Sequence, residues 1–215
     1  MSLSLKDRLL NAKRGLKNVE TKILHADGSE ITQRRKSDGQ IELIKKDIRP
    51  WGFVGDFKPD LQMAEIFPRV FVGSQDPASE PDLLRQHHIT HVINAATLIP
   101  DFHPEKFTYL HLEVMDLPTC DLKQHFGTCN TFILDALRQK GAVFVHCNAG
   151  VSRSVSICIA FLMFHCGLDL VDAYNRVKAV RKCANPNPGF FQQLRDYDRQ
   201  LKANARNNNE IVVNL

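Results

Sequence analysis

Long apolar runs are absent from the sequence, and so are a secretory signal peptide and a C-x-x-C motif. No stretch reaches the roughly 18 consecutive apolar residues of a membrane-spanning helix, so we expect no membrane partner. The first residues lack the apolar core of a secretory signal peptide, and none of the six cysteines form a C-x-x-C pair. We therefore expect free thiols and a reducing compartment, either the cytoplasm alone or the cytoplasm and the nucleus.

The glycine-rich motifs of nucleotide-binding proteins are missing too. Neither G-x-x-x-x-G-K-S/T nor G-x-G-x-x-G occurs, and we expect neither a cofactor nor a metal. A strong excess of positive charge is also absent, because the net charge is only +4. Residues 1–50 hold 12 Lys/Arg against 7 Asp/Glu, so the remaining residues sum to −1, which argues against a nucleic-acid partner.

Short apolar segments alternate with helical patterns through the middle of the chain. The 215 residues are 43% hydrophobic, enough for one globular domain with extensions. The order of the elements predicts an α/β fold, in which helices flank a central, mostly parallel sheet. Strands are predicted at 66–72, 89–95, 107–115 and 143–145, and helices at 78–88, 122–140, 155–164, 168–182 and 188–201.

The two ends of the chain differ in composition from this middle part. Residues 1–58 are polar and basic, which fits either a flexible, solvated leader or a docking segment for an acidic groove on a partner kinase. Residues 204–215 contain three consecutive asparagines and are predicted to be a disordered tail. The domain is therefore expected over residues 59–203.

The most informative stretch of the sequence runs from residue 143 to residue 154. An apolar, β-branched segment ends at Cys147, and Arg153 follows six residues later, before a second apolar segment. This order predicts a buried strand, a tight loop at Gly150 and a helix. Such a loop directs backbone N–H groups toward one point, and the helix N-terminus adds partial positive charge, so the site suits an anion.

Side chains of the same stretch suggest a nucleophile with its supports. Arginine and a helix N-terminus favour the thiolate of Cys147, which is the nucleophilic form of cysteine. Arg153 presents a planar fork of donors that fits two oxygens of a phosphate. Ser154 can donate a hydrogen bond to the sulfur when the sulfur must leave, and His146 is expected to be a buried orienting residue. The competing interpretation is a structural cysteine followed by a surface arginine.

The pattern H-C-x-x-G-x-x-R-S resembles that of the cysteine-dependent protein tyrosine phosphatases. The resemblance covers about residues 60–202, and the short domain is similar to the atypical dual-specificity phosphatases, which lack the targeting domain of larger MAP kinase phosphatases. It implies a protein phosphatase that acts through a cysteinyl-phosphate, with MAP kinases or their upstream kinases among its partners. It also implies that the phosphate is held by Arg153 and by the N–H groups of Asn148, Ala149, Gly150, Val151 and Ser152.

A phosphatase of this kind needs a general acid, because a Ser, Thr or Tyr oxygen leaves poorly as an anion. Asp116 follows the third predicted strand at the edge of the sheet where ligands bind, 31 residues before the cysteine. The Asp116-Leu117-Pro118 loop resembles the acid loop of the small dual-specificity phosphatases. Asp121 is a rival for this role, and a strand-end capping aspartate is the alternative interpretation.

A third motif begins at Arg181 and has the form R-x(4)-P-N-x-G-F. It resembles a stretch of the same family in which the asparagine braces the phosphate-binding loop, which makes Asn187 a supporting residue. A simple turn between two helices is the alternative.

Three other functions compete with a protein phosphatase. A phosphoinositide phosphatase usually carries lysines inside the loop, whereas Asn148, Ala149, Val151 and Ser152 are uncharged. A phosphatase of RNA 5′-triphosphates would need a basic, deep pocket. A phosphoprotein-binding scaffold would be expected to lack Cys147, Arg153 or the acid.

Overall fold

The computed structural model describes residues 20–24, 30–36, 40–47 and 59–213, and the chain divides into two units, Met1–Lys58 and Pro59–Leu215. The first unit contains an antiparallel sheet of β1 (Glu20–Leu24), β2 (Glu30–Arg35) and β3 (Ile41–Asp47). These strands lie within residues 1–58, for which we expected either a flexible leader or a docking segment. The composition is polar, but the strands contain β-branched residues, and Ile23 lies opposite Ile31 in the ladder.

The second unit is built around a five-stranded sheet in the order β4-β5-β8-β6-β7. Only β4 and β5 pair antiparallel, and the other three pairs are parallel, so the predicted α/β fold with a mostly parallel sheet is confirmed. The strands are β4 (Ala64–Phe67), β5 (Val70–Gly73), β6 (Ile89–Asn94), β7 (Thr108–His111) and β8 (Ala142–His146).

Helices cover both faces of this sheet. Their bounds are α1 (Gln75–Ser79), α2 (Pro81–Gln86), α3 (Phe126–Arg138), α4 (Arg153–Cys166), α5 (Leu170–Val180) and α6 (Pro188–Val213), with a short 3-10 helix at Lys123–His125. No helix among the described residues combines the length and the apolar character needed to cross a membrane.

The central strand β8 is buried on both faces, as expected for an inner parallel strand. Its side chains alternate between two cores: Val143 and Val145 join the large core with α3 to α6, while Ala142 and Phe144 join the small core with α1 and α2. This double burial fixes the register of β8, and therefore the position of the residue that follows it, Cys147.

Three predicted elements differ from the structure. The strand predicted at 66–72 is the hairpin β4–β5, which turns at Arg69 with a φ of 66°. The helix predicted at 78–88 is split into α1 and α2, because Pro81 cannot continue a helix but fits its first turn. The strand predicted at 107–115 ends at His111.

The last helix also extends beyond the prediction. Helix α6 continues to Val213, whereas a disordered tail was expected from residue 204. Ion pairs one turn apart support the middle of this helix, with Lys202 Nζ at 2.6 Å from Asp198 Oδ2.

Candidate active site

The chain turns from β8 into α4 through residues 147–153, which we call the signature loop. Cys147 lies at the carboxyl end of β8 and is 1% exposed, whereas Ala149 on the rim of the loop is exposed. The Sγ of Cys147 is 3.3 Å from the Oγ of Ser154, in the first turn of α4. The predicted contact between the sulfur and the serine hydroxyl is therefore present.

Four consecutive carbonyl groups of the signature loop accept hydrogen bonds from donors outside the loop. The pairs are Asn148 with the Gln75 N–H (2.9 Å), Ala149 with Arg181 Nη2 (3.0 Å), Gly150 with Arg181 Nε (3.0 Å) and Val151 with the Asn185 N–H (2.8 Å). The peptides are trans, so each following N–H group points to the opposite side of its peptide plane. The N–H groups of residues 149–152 therefore face away from these donors, an arrangement that binds anions.

Gly150 allows this loop to approach β5 closely. Its φ is +64°, and a Cβ at this position would lie 2.4 Å from the backbone of Gly73. No other residue would fit without moving one of the two backbones.

The guanidinium of Arg153 contacts the segment that carries Asp116. Its Nη1 donates to the carbonyl of Val114 (2.9 Å), and its Nε is 3.7 Å from Asp116 Oδ2. The Nε is buried and makes no hydrogen bond within the part of the chain that the structure describes. The guanidinium therefore retains a buried donor for an anion.

Asp116 is held by two donors on a single carboxylate oxygen. Its Oδ1 accepts from Ser152 Oγ (2.8 Å) and from Asn187 Nδ2 (2.7 Å), and the Asn187 N–H donates to Ser152 Oγ (3.0 Å). The structure thus brings together the aspartate and asparagine that the sequence singled out. Asp121, the rival, accepts from the Gln124 N–H (3.2 Å) at the start of the 3-10 helix.

Residues 116–123, which we call the acid loop, are anchored on the first turns of α6. A Cβ on Gly189 would lie 2.0 Å from the carbonyl oxygen of Pro118, so glycine is needed for this contact. One turn later, Gln193 Oε1 accepts from the Leu122 N–H (2.8 Å), and Nε2 donates to the Cys120 carbonyl (2.7 Å). The aspartate therefore sits on a loop with fixed attachments.

His146 is fully buried and directly precedes Cys147. Burial disfavours the charged imidazolium and lowers the pKa of His146 to about 4, so the ring is neutral at physiological pH. Its Nδ1 lies 3.2 Å from the carbonyl oxygen of Cys147, which can only accept, so Nδ1 carries the proton. The orienting role of His146 stays a prediction.

Sequence reasoning missed one residue of the site, Arg181. The only signal for Arg181 in the sequence is its place as the first residue of the R-x(4)-P-N motif. The contacts of Arg181 with Ala149 and Gly150 join positions about 30 residues apart. Among the described residues, no group of three His, Cys, Asp or Glu side chains could hold a metal ion.

Comparisons with known proteins agree with this geometry. Residues 70–200 match the family model described as the dual specificity phosphatase catalytic domain. The chain is 40% identical to mouse dual specificity protein phosphatase 19 over 154 residues, which cover 72% of this chain and 70% of the relative. It is 42% identical to human dual specificity protein phosphatase 14 over 139 residues, covering 65% and 70% of the two chains.

Solved structures show the same fold. The crystal structure of human DUSP28 is 34% identical, with a TM-score of 0.63 over 65% of this chain and 95% of that one. A mouse putative dual specificity phosphatase complexed with zinc tungstate is 33% identical, with a TM-score of 0.65 over 71% and 96% of the two chains. The chain belongs to the dual specificity phosphatase family and is a protein phosphatase with a tyrosine-phosphatase-like fold.

Proposed function

We propose that the chain hydrolyses phosphotyrosine and phosphoserine/threonine residues of proteins through a cysteinyl-phosphate on Cys147. One observation supports this most directly: the sulfur lies at the start of a loop in which four consecutive carbonyls accept hydrogen bonds from outside the loop, and Ser154 Oγ is 3.3 Å from the sulfur. Such a loop offers N–H groups to the equatorial oxygens of a phosphoryl group, and Arg153 adds a charged fork.

In the first step, the thiolate of Cys147 attacks phosphorus, and the S–P bond forms as the bond to the leaving oxygen breaks. Asp116 gives its proton to that oxygen. Because Oδ1 already accepts from Ser152 and Asn187, Oδ2 is the oxygen that carries this proton.

In the second step, a water molecule attacks phosphorus and gives a proton to the carboxylate of Asp116. The S–P bond breaks, and its electron pair returns to the sulfur of Cys147. A hydrogen bond from Ser154 stabilises the departing thiolate, and no cofactor takes part.

The substrates that we propose are signalling kinases of the MAP kinase pathways or the kinases that act on them. Resemblance to the atypical dual-specificity phosphatases supports this part of the proposal. The thiolate mechanism favours action in a reducing compartment, the cytoplasm or also the nucleus.

Phosphopeptide hydrolysis by matched variants tests the proposed chemistry. We expect Cys147→Ser to abolish the turnover of phosphotyrosine and phosphothreonine peptides. Asp116→Ala should lower kcat by roughly 100-fold or more while KM changes little, because general acid catalysis contributes in that range. Asp121→Ala, a change in the same loop, is the control and should keep kcat near that of the unmodified chain.

Capture of substrates from lysate with Asp116→Ala would then identify the phosphoproteins. Captured MAP kinases or their upstream kinases would support the proposed substrates, and their absence from the captured set would contradict them. Full activity of Cys147→Ser would refute the assignment of Cys147 as the nucleophile.

A binding function without turnover is the second candidate. One similar structure, 35% identical, is human tyrosine phosphatase-like serine/threonine/tyrosine-interacting protein, whose name describes interaction. Capture of phosphoproteins by the unmodified chain, with no phosphate released from them, would favour this alternative.

A further inference from the structure

Arg181 is the largest fully buried side chain of the described residues, and it is only 1% exposed. A guanidinium removed from water is costly unless it is paired and hydrogen-bonded. Its Nη2 lies 2.5 Å from Asp60 Oδ2, and its Nη1 donates to Gln62 Oε1 at 3.3 Å. The other bonds go to the carbonyls of Ala149 and Gly150, both at 3.0 Å.

These last two bonds determine which way two peptide groups of the signature loop point. A carbonyl held by the guanidinium turns the next N–H to the other side, so Arg181 sets the N–H groups of residues 150 and 151. The neighbouring carbonyls are held by backbone N–H groups, whose positions follow from the chain itself. Among the described residues, Arg181 is the only side chain that holds two of these four carbonyls. Because a side chain can rotate, its guanidinium must itself be held in place by an anchor.

Asp60 supplies that anchor and is itself fixed at both backbone groups. Its N–H donates to Asp76 Oδ2 (2.8 Å), and its carbonyl accepts from Ser74 Oγ (2.9 Å). The carboxylate is 41% exposed, so the charge of the buried guanidinium is balanced at the protein surface. A continuous path of hydrogen bonds thus joins residue 60 to the signature loop.

We propose that Asp60 and Arg181 are positioning residues of the phosphate site. Asp60 orients the guanidinium, the guanidinium holds the carbonyls of Ala149 and Gly150, and the N–H groups of residues 150 and 151 are thereby directed at the phosphate. This role rests on the function proposed above for the signature loop. Neither residue touches the phosphate, and both act through the loop.

Binding of inorganic phosphate and orthovanadate by the full chain tests this role. In Asp60→Asn the side chain keeps its shape but loses its charge, and in Arg181→Lys the charge remains but the fork is lost. We expect both variants to weaken the equilibrium binding of both anions by roughly 10-fold, equivalent to one charge-assisted hydrogen bond, and to raise the KM for an aryl phosphate in parallel.

The matched control is Arg176→Lys. Arg176 lies in α5, five residues before Arg181, and like Arg181 it donates to a backbone carbonyl, that of Ile66 (2.9 Å), but no hydrogen bond joins it to the signature loop. Its anion affinity should stay within about twofold of the unmodified chain. Thermal unfolding of all three variants shows whether affinity follows stability.

Unchanged anion affinity in Asp60→Asn and Arg181→Lys would overturn the proposal, and so would equal losses in Arg176→Lys. Lower melting temperatures with unchanged affinity would also overturn it, because they indicate a structural role only. Anion binding needs no turnover, so these outcomes are separate from those for the proposed function, which fails if Cys147→Ser retains hydrolysis.

Discussion

Replacing His146 should remove a pH dependence of stability that the buried ring imposes on the fold. Burial lowers the pKa of His146 to about 4 from the ordinary 6.5, so the folded state resists protonation over that interval. In the unfolded chain the same ring takes up a proton below pH 6.5. The stabilising contribution is therefore complete above about pH 6.5 and is lost as the pH falls toward 4.

The two pKa values give the size of this effect. Linkage between them predicts a loss of about 2 kcal/mol in the free energy of unfolding between pH 7 and pH 5, reaching about 3 kcal/mol at pH 4. A domain whose total stability is roughly 5–15 kcal/mol would show such a loss clearly.

Urea unfolding at pH 7, 6 and 5 in the presence of a thiol reductant measures the effect. His146→Asn removes the titrating ring but keeps an amide that can donate to the carbonyl of Cys147. Its stability should be lower at pH 7, because the buried ring is lost, and should fall less on acidification. His88→Asn, at an exposed position with a φ of 56° that asparagine tolerates, is the control and should keep the full pH dependence. Equal losses between pH 7 and pH 5 in the unmodified chain and in His146→Asn would refute the reasoning.

Three further changes test the supports of the site. Ser154→Ala should slow the release of the sulfur by about 10-fold, because a hydrogen bond to a charged group is lost, and stopped-flow assays should show a burst of the first product. Asn187→Asp replaces the amide donor to Asp116 with a second carboxylate but keeps the acceptor for the Phe190 N–H (2.9 Å) in the first turn of α6. We therefore expect kcat to fall with little change in melting temperature, and a large drop in melting temperature at constant kcat would contradict this. Gly189→Ala forces a Cβ against the backbone of Pro118 and should lower kcat and thermal stability together, whereas an unchanged kcat would show that the loop adapts.

The signature loop could be predicted from the sequence because its determinants are local. The apolar run that forms β8, the turn at Gly150 and the start of α4 at Arg153 all lie within twelve consecutive residues. The position of Asp116 could also be predicted, because it directly follows the strand pattern of residues 107–115 and precedes Pro118.

Other features depend on contacts that no short pattern encodes. Arg181 reaches carbonyls 31 and 32 residues away and a carboxylate 121 residues away, so only the folded chain shows what it binds. The turn between β4 and β5 places Arg69 in the left-handed region, where glycine or asparagine would have signalled it. Pro81 is a break that a sequence can show, but the prediction of one helix over residues 78–88 did not use it.

The attachment of the acid loop to α6 affects how this phosphatase can select its substrates. Gly189 and Gln193 hold the loop in place through the protein alone. An enzyme whose acid must swing shut over the substrate can reject a poor one by failing to close. We expect no such closing step here, because these contacts already hold the acid loop before any substrate binds. Selectivity must then arise earlier, in the encounter between the two protein surfaces.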